Sequence, residues 1–146
     1  MKLKIVNTSN NPTPAFQTPG SAGMDICANL DFATVIKPGE RLLVPTGIYM
    51  AIPEGYECQV RSRSGLAAKF GIMVLNSPGT IDSDYRGEIK VILYNTSNVE
   101  YVLGCGDRIA QLVFSKVEQP EIENFITLDS LEVTERGTGG FGSTGK

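Results

Sequence analysis

Apolar residues recur along this chain in short alternating runs, broken every few positions by proline, glycine or asparagine. Ile89, Val91 and Leu93 fall on one face of an extended segment, the period of two that a half-buried strand requires. The same reading predicts strands over Lys2–Val6, Asp25–Asn29, Phe32–Ile36, Arg41–Val44, Gly47–Ile52, Tyr56–Arg61, Glu88–Tyr94, Val99–Leu103 and Arg108–Ser115. Turn signals separate them at Lys37-Pro38-Gly39, Ile52-Pro53-Glu54-Gly55, Ser77-Pro78-Gly79 and Asn95-Thr96-Ser97-Asn98. Strands this short and evenly spaced make an all-β barrel or jelly roll rather than βαβ units. One segment, Ser64 to Phe70, predicts a short helix that Ser64 caps and Gly71 stops. It holds only when packed on a sheet. From Arg136 to Lys146 the chain is glycine-rich, and only Phe141 offers anything to pack. The organisation expected is one domain over 1–135 and a flexible arm over 136–146.

Composition narrows the chemistry. A chain of 146 residues buries roughly 70% of its unfolded surface, enough for one core without staples. Its net charge of −3 argues against a broad nucleic-acid surface, yet a few local arginines suffice for a small anion. The N-terminal segment has no signal-like apolar core, and no run is long enough to span a bilayer. Cys27, Cys58 and Cys105 lack CxxC spacing and read as reduced thiols in a cytoplasmic protein. The chain has no histidine, which removes Ser-His-Asp and Cys-His catalysis and His-ligated zinc. A general base is therefore Asp or Glu before Lys, Tyr or Cys.

Four segments combine residues that could carry chemistry. In Arg61-Ser62-Arg63-Ser64-Gly65 a strand would present both arginines on one face and Ser64 would open the helix, a phosphate-binding arrangement. An ordinary N-cap beside surface arginines fits the same spacing. The run from Leu75 to Gly87 is a turn-rich link carrying Asn76, Asp82, Asp84 and Tyr85. It reads as a base-recognising hairpin or simply as a solvated turn. Gln111 interrupts an apolar strand opposite Leu112, as a satisfied polar group or a ligand contact. The Gly140–Lys146 stretch matches the opening of a P-loop without its Ser/Thr and helix. Its glycine N–H groups, with Ser143, Thr144 and Arg136, can still wrap a triphosphate, and Phe141 can stack on a base.

Together these segments resemble the dUTP pyrophosphatase (dUTPase) family. Five of its motifs occur in order: Ala22 to Ile26, Arg61 to Ala67, Asn76 to Gly87, Gly106 to Gln111, and Arg136 to Gly145. The resemblance implies a homotrimer of distorted jelly-roll subunits whose active sites each draw on all three chains, the arm closing a neighbour's site. It implies hydrolysis of dUTP to dUMP and diphosphate, which limits uracil in DNA and supplies dUMP for thymidylate synthesis. Asp82 then activates the attacking water, and Asp25 holds a water of the shell of a Mg²⁺ that bridges the phosphates. Arg63, Ser64, Gly65 and Gln111 contact phosphate, and Arg136, Gly142, Ser143 and Thr144 grip its far end. Asn76 reads uracil with Gly79, Thr80, Ile81 and Lys90 around it, Tyr85 lies under the deoxyribose, and Phe141 closes over the base. Met24 and Thr80 depart slightly from the family pattern, away from the chemistry.

The related dCTP deaminases carry a catalytic Glu where this chain has Ile92, which argues against deamination. A dUTP-binding regulator and a purely structural trimer are further alternatives. Intact Asp25 and Asp82 count against the first, and polar residues interrupting the strands count against the second.

Overall fold

The computed structural model describes residues 1–141. Among them are eleven strands and one α-helix: β1 (Lys4–Asn7), β2 (Gly23–Cys27), β3 (Thr34–Ile36), β4 (Arg41–Val44), β5 (Ile48–Ala51), β6 (Tyr56–Arg61), α1 (Ser64–Phe70), β7 (Ile72–Val74), β8 (Gly79–Ile81), β9 (Val91–Asn95), β10 (Tyr101–Leu103) and β11 (Arg108–Lys116). Every pairing is antiparallel. The strands form a four-stranded sheet β2-β11-β6-β8, a three-stranded sheet β4-β9-β7 and two ribbons, β1-β5 and β3-β10. The all-β expectation holds, and the two sheets enclose one core.

Alternation builds that core. Val91 and Leu93 on β9 and the preceding Ile89 are essentially inaccessible, as are Ile26, Ile36, Val44, Ile72, Leu103, Ile109 and Leu112. Each such side chain contributes about 1.5–3 kcal/mol by leaving water. On β11 the alternation breaks, because a register shift between Arg108 and Ala110 puts consecutive Ile109 and Ala110 inside. Beyond the shift, Gln111 stands directly opposite Asp25 of β2 on one side and Arg61 of β6 on the other. The bulge thus sets which polar side chains meet at this sheet's surface. The buried Asn95 is fully employed. Its amide donates to the Ile36 and Val99 carbonyls, and its oxygen accepts from the Ser97 backbone and hydroxyl.

Two expectations need correction here. Ser64 does not cap α1: Arg63 holds the N-cap position with extended backbone angles, and no side chain caps the helix. Ser64 lies one residue inside, so its hydroxyl cannot reach back as a cap does. Nor do Arg61 and Arg63 act from one strand face. β6 ends at Arg61, whose guanidinium turns back onto Gln59, while Arg63 crosses to Asp25. The stop is as expected, since Gly71 adopts φ 65° and its N–H donates into the last turn.

No helix among the described residues is long and apolar enough to cross a membrane. Cys58 is buried, and burial first, then the Glu57 charge, pushes its thiol up to about 12 from an ordinary 9.0. Cys105 is exposed. A thiol reagent should therefore label Cys105 in the native protein and Cys58 only after unfolding. The unfolded chain gives up the Cys58 proton at lower pH than the folded one. Stability should fall as pH rises from about 9 towards 12, measured by denaturant titration at each pH.

Candidate active site

The described chain carries two polar centres on one sheet. The first surrounds Asp25 on β2. Its carboxylate accepts from Arg63 Nε at 2.9 Å and from Arg108 Nη1 at 3.3 Å. Arg63 Nη1 also donates to the Arg108 carbonyl, which fixes its fork. Asp25 and Arg63 keep only 20% and 25% of their side-chain surface exposed, so this is a half-buried, charge-assisted cluster. Gln111 reaches it from β11, its amide donating to the Ser62 carbonyl at 3.0 Å. Gly23 leaves room for that side chain, because a Cβ there would fall 2.8 Å from Gln111 Oε1. Ser62 in turn accepts from the Val74 N–H, which ties the turn before α1 to β7. Ser64 and Gly65 are exposed beside the cluster, at the open first turn of α1. Cys27 lies at its edge, and its thiol is raised by burial and then by the Asp25 charge.

The second centre is the hairpin around β8. A cleft of about 460 Å³ opens there between Leu43, Ile81, Asp82, Tyr85, Glu88 and Lys90. Thr80 and Asp82 also border a hollow of about 850 Å³ on its other side. The Tyr85 hydroxyl donates to the Glu88 carbonyl at 3.0 Å, and Tyr85 N–H to the Asp82 carbonyl. The Asn76 amide lies over the buried Gly79, where a Cβ would come within 3.0 Å of its nitrogen. Apolar walls, a flat ring and a few polar groups suit a nucleoside.

The two centres do not meet in one chain. Asp25 and Asp82 lie at opposite edges of β2-β11-β6-β8, three strand spacings or roughly 14 Å apart. The register adds to this. Asp25 is level with Gln111 and Arg61, whereas Ile81 pairs with Cys58, so Asp82 sits some four residues, roughly 13 Å, further along β6. The resulting separation of roughly 19 Å far exceeds what one Mg²⁺, with ligands about 2.1 Å away, can bridge.

Residues 9–145 match the family model dUTPase. The deoxyuridine 5'-triphosphate nucleotidohydrolase of Finegoldia magna is 54% identical over 145 residues, covering 99% of both chains. That of Chlamydia trachomatis is 53% identical over 146 residues, covering 100% of this chain and 99% of its own. Among solved structures, a mutant of the Staphylococcus bacteriophage 80alpha dUTPase with dUpNHpp superposes with a TM-score of 0.87 at 26% identity, covering 99% of each chain. The chain belongs to the dUTPase family. Members of that family hydrolyse dUTP to dUMP and diphosphate, and they generally use Mg²⁺.

The dUTPase assignment gives the geometry a reference. The structure gathers Asp25, Arg63, Ser64, Gly65 and Gln111 in the first centre, and Asn76, Gly79, Thr80, Ile81, Asp82, Tyr85 and Lys90 along the hairpin of the second. Arg136 and Phe141 join neither. Arg136 donates to the Gly139 carbonyl within its own turn, and Phe141 is fully exposed at φ 49°. Gly142, Ser143 and Thr144 lie outside the described residues. Sequence reading left Arg108 and Glu88 without roles. Arg108 lies two residues after Gly106 in the fourth motif, but its tie to Asp25 spans 83 residues of chain, which no local spacing reveals.

The residues present fit a Mg²⁺ held through water. Among the described residues there is no cluster of three or more acidic or thiol side chains that would cage a metal. A single carboxylate suits an ion that keeps several waters and binds mainly through substrate phosphates, and the arginines beside it suit those phosphates.

Proposed function

We propose that the chain works as a homotrimer whose active sites form between copies. The first centre of one copy would face the hairpin of another, and the C-terminal arm of the third would cover both. The reaction itself follows from family membership: the chain hydrolyses dUTP to dUMP and diphosphate. The single observation that carries the shared site is the separation of Asp25 and Asp82 at opposite edges of one sheet. The segment after β11 adds support. Ile122, Ile126, Leu128 and Val133 are 77–103% exposed, an apolar series that this chain's own core does not use. Such a series fits a segment that docks on a second copy and carries the arm beyond it.

In this reading Arg63, Ser64, Gly65 and Gln111 receive the phosphates. Arg63 is already ordered by Asp25 and the Arg108 carbonyl, so it binds with little further loss of freedom. Asp25 would hold a water of the metal shell, and the ion, when bound, neutralises phosphate charge. Asp82, exposed on the hairpin, takes a proton from the attacking water. The Asn76 amide, exposed over Gly79, is free to pair with a uracil edge, which cytosine mismatches. Tyr85 packs under the sugar and crowds a 2′-hydroxyl. Lys90 lies at the cleft wall, 3.6 Å from Glu88. Residues 1–135 act as the catalytic domain and 136–146 as its closing arm, with Arg136, Phe141, Gly142, Ser143 and Thr144 gripping base and γ-phosphate. A cytoplasmic site of action fits the nucleotide substrate and the free thiols.

The test is pyrophosphate release with Mg²⁺ from dUTP, UTP, dCTP and dTTP, with the products identified. Release from dUTP alone, giving dUMP, is the expected result. Comparable release from dCTP or UTP would remove the proposed roles of Asn76 and Tyr85.

A further inference from the structure

We propose that Glu88 is a positioning residue for sugar selectivity, acting through Tyr85. The proposal rests on reading Tyr85 as the plate beneath the deoxyribose. Tyr85 is 44% exposed, so packing alone does not fix its ring. Its hydroxyl is tied to the Glu88 carbonyl, and the ring lies over Gly87, where any side chain would collide with the Tyr85 hydroxyl and ring. The ring is therefore only as well placed as Glu88.

Glu88 is clamped from the other side. Its Oε1 accepts from the Thr46 N–H at 3.1 Å and the Gly47 N–H at 2.9 Å, both charge-assisted. The same turn, between β4 and β5, is itself anchored. The buried Thr46 hydroxyl donates to the Ile89 carbonyl, and the Ile89 N–H donates to the Ile48 carbonyl. Gly47 sits at φ 68° against the backbone of Ser9, a spot where a Cβ would come within 2.9 Å. The root of the hairpin is thus fastened to a rigid turn of the core. The remaining carboxylate oxygen faces Lys90 Nζ at 3.6 Å in the same cleft. Oε1 is spent on the turn and Oε2 faces Lys90, so the carboxylate orders the residues around the cleft that Glu88 borders.

Without the clamp the Glu88 carbonyl shifts, the Tyr85 ring swings, and space opens where a 2′-hydroxyl would sit. Glu88→Ala should lower the ratio of kcat/KM for dUTP over UTP by about 10-fold or more, chiefly by improving turnover of UTP. Glu88→Gln keeps an oxygen facing Thr46 and Gly47 and should restore most of the selectivity. Tyr85→Phe, which removes only the hydroxyl anchor, should fall in the same direction as Glu88→Ala. A merely structural Glu88 would lower melting temperature and turnover of both substrates alike, with the ratio unchanged.

The steady-state ratio for all three variants, with Tyr85→Ala alongside, decides the matter. An unchanged ratio in Glu88→Ala while Tyr85→Ala loses discrimination overturns the role of Glu88. An unchanged ratio in Tyr85→Ala overturns the sugar-plate reading, and the proposal with it. Should Glu88→Ala not fold, Tyr85→Phe decides alone, and undiminished selectivity there overturns the proposal.

Discussion

Asp82→Asn should bind dUTP nearly as well as the parent protein while losing about 10²–10⁴-fold in turnover. The substitution keeps shape and removes only the proton acceptor. Asp82 is exposed at the end of β8, so the fold has little stake in its charge, and stability should change by no more than about 0.5 kcal/mol. No histidine exists to take over the proton. Single-turnover pyrophosphate release, paired with calorimetric binding of a non-hydrolysable dUTP analogue, separates chemistry from affinity. Turnover close to that of the parent would show that another group accepts the proton.

Deleting residues 137–146 should cut turnover by about 10²-fold or more, the scale of loss when a substrate is no longer held in its reacting geometry. The physical ground is the division of labour along the chain. The last fully buried side chain is Leu112, and Phe114 is the last apolar residue packed against the core. Ser115 and Lys116 still pair with β6 and the Val117 N–H donates to the Gly55 carbonyl, but no side chain after these is buried among the described residues, so the melting temperature of the truncated protein should stay close to that of the parent. Turnover and thermal unfolding measured on one preparation check both halves. Parallel loss of stability and activity would make the arm a structural clasp instead of a lid.

Much of the fold was legible because its strands carry the period of two cleanly. Arg41–Val44 and Tyr56–Arg61 begin and end where the pattern does. Elsewhere tertiary demands moved the ends. The segment expected from Glu88 starts its ladder only at Val91, because Glu88 spends its carboxylate on the Thr46–Gly47 turn. The strand expected from Phe32 starts at Thr34, since Phe32 points into solvent at 84% exposure. β7 and β8, three residues each, were missed: too short for a period to show, and β8 lies inside a run of turn-formers.

The site divides in the same way. The motifs that mark the family were readable, because motifs are local. The Arg63–Asp25 and Arg108–Asp25 ties were not, since they join residues 38 and 83 positions apart through strand register and a bulge. The mistaken cap at Ser64 belongs with these non-local ties. Arg63 takes the extended backbone of the N-cap while its side chain crosses to Asp25, and Ser64 begins the helix one residue later.

The most direct test of the shared site is complementation between two inactive proteins, Asp25→Asn and Asp82→Asn, refolded together in equal amounts. If each site takes Asp25 from one copy and Asp82 from another, random trimers should have about one intact site in four and recover about a quarter of the parent turnover. If every chain carried its own complete site, each site in the mixture would hold one lesion. The mixture would then be no more active than either variant alone, and the account would be contradicted.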